Sequence, residues 1–133
     1  MPMPKNSRVP SRNRSCAGWW IYREVEQWVS KRQRKLSDGS KCLVWENTRL
    51  IRARNRNEAY RKAIKLSQCY MPSKTNKGEW RFAGISMLLP VYDEIEDGAE
   101  ILWTDRGWLT MKQIKRLVRT KRRLPVFDDG EPG

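Results

Sequence analysis

The alternation of apolar and polar positions predicts a sheet with helices connecting its strands. Residues 19–29, WWIYREVEQWV, are rich in aromatic and β-branched side chains, which suit the half-buried surface of a strand. Residues 42–53, CLVWENTRLIRA, are interpreted as the returning strand, and Asp38-Gly39 supplies a turn signal between the two. The apolar parity of this second strand changes along its length. That change predicts either a bulge near Asn47 or a strand covered on both faces.

A helix is predicted to follow the second strand. Asn55 stands three residues before Glu58, and such a pair resembles a capping box, which satisfies free amides at a helix start. The helix is expected to end before Pro72 because proline cannot continue it. Its core-facing stripe, at i, i+4 spacing, comprises Ala59, Tyr60, Ala63, Ile64 and Ser67.

Residues 80–92, WRFAGISMLLPVY, show the clearest strand pattern in the chain. Strict alternation places five apolar side chains on one face: Ala83, Ile85, Met87, Leu89 and Val91. Pro90 cannot donate to a ladder, so this end of the strand is expected at a sheet edge or a bulge. Residues 101–104, ILWT, are predicted as a short fourth strand.

A second capping box, Thr110 with Gln113, opens the basic segment MKQIKRLVRTKRR. An apolar stripe at helical spacing can dock on the sheet and comprises Met111, Ile114, Leu117 and Val118. The fold class is therefore predicted as α+β, with a small antiparallel sheet of about four strands in β-β-α-β-β-α order and two helices on one face. Residues 1–17 are predicted as a disordered basic tail, 18–123 as a single α+β domain that includes the basic C-terminal helix, and 124–133 as a disordered acidic tail.

Three segments, LVWENTRLIRA, NEAYRKA and WRFAGISMLLPVYDEIEDGAEILW, together resemble a bacterial domain family that is catalogued without an assigned function. The resemblance spans about residues 19–103. It implies a small stand-alone protein or an accessory subunit, and it supplies no reaction and no catalytic residues.

The charge balance narrows the class of partner. The chain has 28 Lys and Arg against 15 Asp and Glu, a formal charge of +13, which favours nucleic acid, an anionic membrane surface or an acidic protein. There is no apolar run long enough for a membrane span, and the first residues lack the apolar stretch of a signal peptide. The three cysteines match neither a disulfide framework nor a zinc motif, which predicts a cytoplasmic protein. The absence of histidine excludes a His-based metal site or catalytic triad, and no cofactor is predicted.

Five acids fall between Asp93 and Glu100, and this segment has three interpretations. An EF-hand loop fails because its third and twelfth positions are Ile95 and Thr104. A metal-dependent nuclease centre would need a Glu-x-Lys, which the chain lacks. A hairpin turn at Asp97-Gly98 is favoured, and contact with a basic partner stays open as an alternative.

The candidate binding residues are basic. Seven Lys and Arg occupy the twelve positions 112–123 with no acid among them, although like charges at i,i+4 repel, so an external anion is expected there. The predicted nucleic-acid-binding residues are Lys112, Lys115, Arg116, Arg119, Arg122 and Arg123, with Arg32 and Arg34 from the loop between the first two strands.

The seven Trp could stack on bases. Core positions are favoured for Trp20, Trp28, Trp45 and Trp80, and exposure for Trp19 and Trp108. The predicted function is non-enzymatic binding of nucleic-acid phosphates without sequence specificity. The alternative is an accessory or inhibitory subunit that binds an acidic partner protein, such as a nuclease or toxin-type target, and a metal-dependent enzyme is a weaker third possibility.

Overall fold

The computed structural model describes residues 9–33, 35–69 and 75–130. The chain divides into two compact units, Met1–Trp103 and Thr104–Gly133. In chain order the helices and strands are β1 (Trp19–Ser30), β2 (Leu43–Arg52), α1 (Arg56–Cys69) and β3 (Gly78–Pro90) in the first unit, and α2 (Met111–Leu117) in the second. The α+β class is confirmed, but the described sheet has three strands where about four were expected.

The sheet has the order β2-β1-β3, and β1 pairs antiparallel with both neighbours. β2 and β3 therefore run in the same direction, and α1 connects them. β1 buries the neighbouring side chains of Ile21 and Tyr22, which point to opposite faces of the sheet. Close approach to β1 explains the glycine that begins β3, because a Cβ at Gly78 would lie 2.4 Å from the carbonyl oxygen of Val29.

The predicted fourth strand is absent, because the described residues 101–104 form no strand. The acidic segment before them is a turn in which the Ala99 amide donates to the Glu96 carbonyl at 3.0 Å and Gly98 takes φ +85°. The Asp93 carboxylate accepts the Glu100 amide at 3.1 Å and so closes the loop through a side chain. The turn therefore does not belong to a hairpin, since no strand follows it.

Two bulges in β3 shift its alternation. The register with β1 passes from Met87 to Ile85 and again from Gly84 to Phe82, which leaves Ser86 and Ala83 as extra residues. The register between β1 and β2 is continuous, so the predicted bulge near Asn47 is wrong.

The bulges overturn the predicted apolar face of β3. Ala83 is exposed and Val91 lies beyond the strand, whereas Ile85 and Leu88 pack together against the core under α1. Each extra residue moves the side chains that follow it to the opposite face, so strict alternation in sequence does not correspond to one face in space.

Helix α1 packs on the sheet through small side chains. Ala59 and Ala63 are fully buried, which allows the helix backbone to approach Trp20, Tyr22 and Ile51 closely. The wider core cluster comprises Trp20, Tyr22, Ile51, Ala53, Ala59 and Ala63, with Leu66, Ile85 and Leu88 packed against it. Tyr60 was predicted in the buried stripe but is half-exposed, since it lies on the outer side of the helix.

The start of α1 is capped nearly as the sequence indicates. The Asn55 side chain accepts the Glu58 amide at 2.9 Å. Glu58 accepts the amide of Arg54, one residue before the cap, at 3.3 Å and the Arg54 Nε at 2.9 Å. The reciprocal bond therefore reaches one residue further back than in a standard capping box.

Residues 9–17, from the segment predicted as a tail, contact the end of the sheet. Ser11–Asn13 forms a 3-10 turn, the Ser15 hydroxyl donates to the Val91 carbonyl at 2.8 Å, and the Tyr92 hydroxyl donates to the carbonyl of Arg12. Residues 1–8 and 131–133 lie outside the described ranges, so the extent of disorder at both ends stays a prediction.

The second unit is built from short helices. It contains α2 and two 3-10 turns, Lys121–Arg123 and Pro125–Phe127, none of which buries a residue. Within this unit the apolar stripe of α2 is exposed, since Met111, Ile114 and Leu117 are 67%, 41% and 47% exposed. None of the helices in the described ranges combines the length and apolar character needed to cross a bilayer.

Candidate nucleic-acid interface

The basic segment begins with the predicted capping box. The Thr110 hydroxyl accepts the Gln113 amide at 3.2 Å, and the Gln113 side chain accepts the Thr110 amide at 2.9 Å. Both orphan amides are thereby satisfied, which fixes the start of α2 at Met111.

The helix is shorter than the sequence pattern predicts. It ends at Leu117, and Val118 is extended with φ −79° and ψ 132°. Two features oppose continuation. Val118 and Thr120 are β-branched, and Lys115 and Arg119 would repel each other at i,i+4 in a longer helix.

The candidate cations are therefore not on one helix face. Lys112, Lys115 and Arg116 lie on α2, whereas Arg119 lies after it. Arg122 and Arg123 belong to the 3-10 turn Lys121–Arg123.

Four of these cations nevertheless share one surface. Lys115, Arg116, Arg119 and Arg123 line a concavity of about 730 Å³ together with Val118 and Thr120. Lys115 and Arg116 belong to the last turn of α2, whereas Arg119 and Arg123 follow the break at Val118, and all four border the same surface. We call these four residues the basic concavity.

The remaining candidates lie elsewhere. Lys112 and Arg122 are exposed but do not line the basic concavity. Arg32 lies in the turn after β1 in the first unit and is exposed, whereas Arg34 lies outside the described residues.

The described residues provide no ion-pair partner for the basic concavity. None of the ion pairs found among the described residues involves a Lys or Arg of the second unit. Lys121 contacts the Phe127 ring, with its ammonium 5.1 Å from the ring centre, which is a cation–π contact outside the concavity. The charges of the basic concavity are thus available to an external anion.

The tryptophans divide differently from the prediction. Trp28 and Trp80 are partly buried, and their ring centres lie 5.5 Å apart. Trp45 was expected in the core but is more than half exposed. Its ring centre lies 5.2 Å from that of Trp80. Trp108 is fully exposed, as expected, and Trp19 is partly buried, with the Arg52 guanidinium 5.4 Å from its ring centre.

A polar cluster that the sequence analysis missed lies in the first unit, on the sheet face that carries α1. Glu24, only 1% exposed, accepts the Arg49 Nε at 3.0 Å and pairs with a second guanidinium nitrogen at 2.9 Å. The Asn47 amide donates to the same carboxylate oxygen at 3.4 Å, and the Ser67 hydroxyl of α1 donates to that of Tyr22 at 3.2 Å.

The surroundings shift the pKa values of Glu24 and Glu26 in opposite directions. Burial opposes ionisation of Glu24, but the hydrogen bond and the charge of Arg49, with the hydrogen bond from Asn47, outweigh it and hold its pKa below the usual value. Burial, followed by repulsion from Glu24, raises the pKa of Glu26 above its usual value. The sequence signal was the parity of β1, which puts both acids on the same face as Trp20, Tyr22 and Trp28.

The described residues contain no group of three or more Cys, Asp or Glu side chains arranged to hold a metal ion. The candidate functional surfaces are therefore described by charge and hydrogen bonding alone.

Comparison with known families adds one match. Residues 19–103 match a family described as a domain of unknown function (DUF4288), while no curated protein and no solved structure matches the chain. The matched range coincides with the strands and helix of the first unit and ends where that unit ends. The sequence resemblance to a family without an assigned function is confirmed, and the chain belongs to the DUF4288 family.

Proposed function

We propose that the protein binds nucleic-acid phosphates, without reading base sequence, through the basic concavity of its second unit. The observation that carries the proposal is the gathering of Lys115, Arg116, Arg119 and Arg123 around one surface without an acid among them. Like charges held together repel, and phosphates along a nucleic-acid backbone offset that repulsion. The proposed role is binding and not catalysis.

The expected mode of binding is electrostatic. Arg can bind phosphate oxygens through two parallel N–H groups, and Lys acts as a flexible point charge. Contacts of this kind position a nucleic acid but carry no base information. The protein is therefore expected to bind different sequences with similar affinity, and its affinity should fall steeply as salt is added.

A charge-neutralising variant tests the proposal. Lys115→Gln, Arg119→Gln and Arg123→Gln together should weaken binding to every sequence about equally and flatten the slope of log K against log salt by about one unit per lost contact. The measurement is a binding titration across a salt series with single-stranded DNA, duplex DNA and RNA.

The matched control removes the same charge outside the concavity. Lys112→Gln, Lys121→Gln and Arg122→Gln alter three exposed cations of the same unit that do not line it. If both triple variants lose binding equally, net charge and not the basic concavity is responsible. If neither loses binding, the second unit does not bind phosphate.

One observation favours the second candidate, an accessory or inhibitory subunit for an acidic protein. Beside the cations, Met111, Leu117 and Val118 are exposed, and a mixed apolar and basic surface suits a protein partner better than a phosphate backbone. Under this alternative, Leu117→Ser should weaken partner binding while nucleic-acid binding stays weak and salt-sensitive in both proteins.

A further inference from the structure

The first unit contains a second basic surface, separate from the residues of the proposed function. Four arginines line one cavity of about 480 Å³: Arg14, Arg54, Arg56 and Arg61. Arg14 comes from the segment before β1, Arg54 from the turn after β2, and the other two from the first turns of α1. The cavity therefore forms only when these three parts of the chain come together.

Of the four arginines that line this cavity, only Arg54 has an ion-pair partner among the described residues. Arg54 bonds Glu58 through its Nε at 2.9 Å, and these hydrogen bonds hold the pKa of the Glu58 carboxyl below its usual value. None of the ion pairs among the described residues involves Arg14, Arg56 or Arg61. Three guanidinium groups are thus held around one cavity at a cost that an anion of high charge would offset.

The remaining lining is polar and donor-rich. Asn13, Asn55 and Asn57 line the same cavity and carry amide groups, and Trp20 contributes a buried apolar wall. Its volume lies within the range of small-molecule sites, about 300–1,000 Å³. The positive end of α1 lies at this cavity and adds to the field of the arginines.

We propose that this cavity binds a phosphate monoester group, carried by a small nucleotide or by the terminal phosphate of a nucleic-acid strand. A phosphate monoester is a dianion, and its three terminal oxygens can accept hydrogen bonds from several guanidinium groups at once. A carboxylate offers only one charge and two oxygens. All residues of this site belong to the first unit, so this proposal can be tested independently of the proposal for the basic concavity.

The test uses the full chain and three probes at constant ionic strength: inorganic phosphate, a nucleoside 5′-monophosphate, and an oligonucleotide with and without a 5′-phosphate. A ligand that binds only the folded protein raises the free energy of unfolding by RT ln(1 + [L]/Kd), and the melting temperature rises with it. Inorganic phosphate or the monophosphate should therefore raise the melting temperature, or the 5′-phosphorylated strand should raise it more than the 5′-hydroxyl strand. Tighter binding of the 5′-phosphorylated strand than of its 5′-hydroxyl counterpart assigns the site to strand ends. Equal binding of the two strands, with a response to the monophosphate or to inorganic phosphate, assigns it to free phosphate groups.

Variants decide whether this cavity is the site. Arg56→Gln with Arg61→Gln should lower the affinity for the responding probe about tenfold or more, while Lys41→Gln with Lys65→Gln, two exposed cations of the first unit outside the cavity, should not change it. Lys115→Gln, Arg119→Gln and Arg123→Gln together should weaken both strands alike, but should leave unchanged the affinity for inorganic phosphate or the monophosphate and the difference in affinity between the 5′-phosphorylated and 5′-hydroxyl strands. Should the double variant unfold, Arg61→Gln alone gives the same test, because this side chain is exposed. Equal binding of the two strands with no response to inorganic phosphate or the monophosphate, or an equal loss of affinity in the Lys41 and Lys65 control, would overturn the proposal.

Discussion

Glu24 and Glu26 lie two residues apart on one face of β1, but the side chains around the two carboxyl groups differ. Glu24 receives the guanidinium of Arg49 and the amide of Asn47, so its buried charge is paired. Glu26 is 6% exposed and lies directly opposite the uncharged side chains of Trp45 and Phe82 in the two neighbouring strands. One strand thus carries a paired carboxylate, Glu24, and a carboxyl group, Glu26, whose ionisation is opposed by burial and by its neighbour and whose pKa is raised.

This difference predicts opposite responses of stability to pH. Because burial and the charge of Glu24 raise the pKa of Glu26 in the folded protein, the fold binds that proton more tightly than the unfolded chain does. Its stabilising contribution is complete below the unfolded pKa, near 4.3, and is lost as the pH rises through the folded pKa. Glu26→Gln should therefore raise the melting temperature at pH 7, and the gain should disappear towards pH 4.

Glu24→Gln is the matched comparison on the same strand. The pKa of Glu24 is lowered on folding, so its contribution is present above the unfolded pKa and lost as the pH falls through the folded value. This variant should lower the melting temperature at pH 7, with the difference shrinking on acidification. Melting curves from pH 4 to pH 8 check both variants, and a shift of the same sign for the two at pH 7 would contradict the assigned environments.

At the scale of elements, local sequence signals predicted where helices and strands lie better than they predicted which of their side chains are buried. Both helix starts were indicated by side chains that bond amides within three residues, and both caps are formed, by Asn55 and by Thr110. Such bonds are local, so the sequence contains all of their partners. The central strand was likewise marked by its aromatic and β-branched composition.

Which face of a strand is buried, and whether a segment forms a strand at all, depend on partners that are distant in the sequence. Two bulges, at Ser86 and Ala83, turned a strictly alternating strand into one whose buried side chains include Ile85 and Leu88. A bulge is defined by the register with another strand, so the alternation of one strand does not reveal it. The predicted strand at 101–104 also depended on a distant partner, since an apolar run becomes a strand only by pairing with another strand, and these residues form no strand.

The shifted face of β3 is tested by substituting the residue that α1 covers. Leu88 packs against the core cluster, so Leu88→Ala should lower the free energy of unfolding by about 2 kcal/mol, the lower part of the range for truncated core leucines, because it is only partly buried. Leu43→Ala, the same change at a mostly exposed position of β2, should cost less than about 0.5 kcal/mol. Chemical denaturation measures both, and equal costs would contradict the assignment of Leu88 to the core.

At the scale of the whole molecule, the two units differ in how they are stabilised. The first unit has a sheet, a covering helix and a buried cluster, and it coincides with the DUF4288 match. The second unit has only short helices, and its described residues are almost all exposed. Burial of apolar surface is the main favourable term in folding, so we expect the first unit to supply nearly all of the folding free energy.

A chain that ends at Trp103 separates stability from binding. It should unfold cooperatively with a melting temperature within about 4 °C of the full chain, a difference of under about 1 kcal/mol for a domain of this size. Circular dichroism during heating is the measurement. A truncated chain that unfolds without a cooperative transition would show that the first unit depends on residues 104–133.

The same truncation distinguishes a specific basic surface from bulk charge. Removing residues 104–133 deletes eight basic and four acidic side chains, so the formal charge falls only from +13 to +9. If net charge governed affinity, the truncated chain would still bind nucleic acid with nearly the same salt slope. If the basic concavity is the phosphate-binding element, the slope for a single strand should flatten by about three units, since four cations that each contribute about 0.7 are lost together. A titration of both chains against the same single-stranded oligonucleotide across a salt series decides between them, and an unchanged slope would move the interface to the arginines of the first unit.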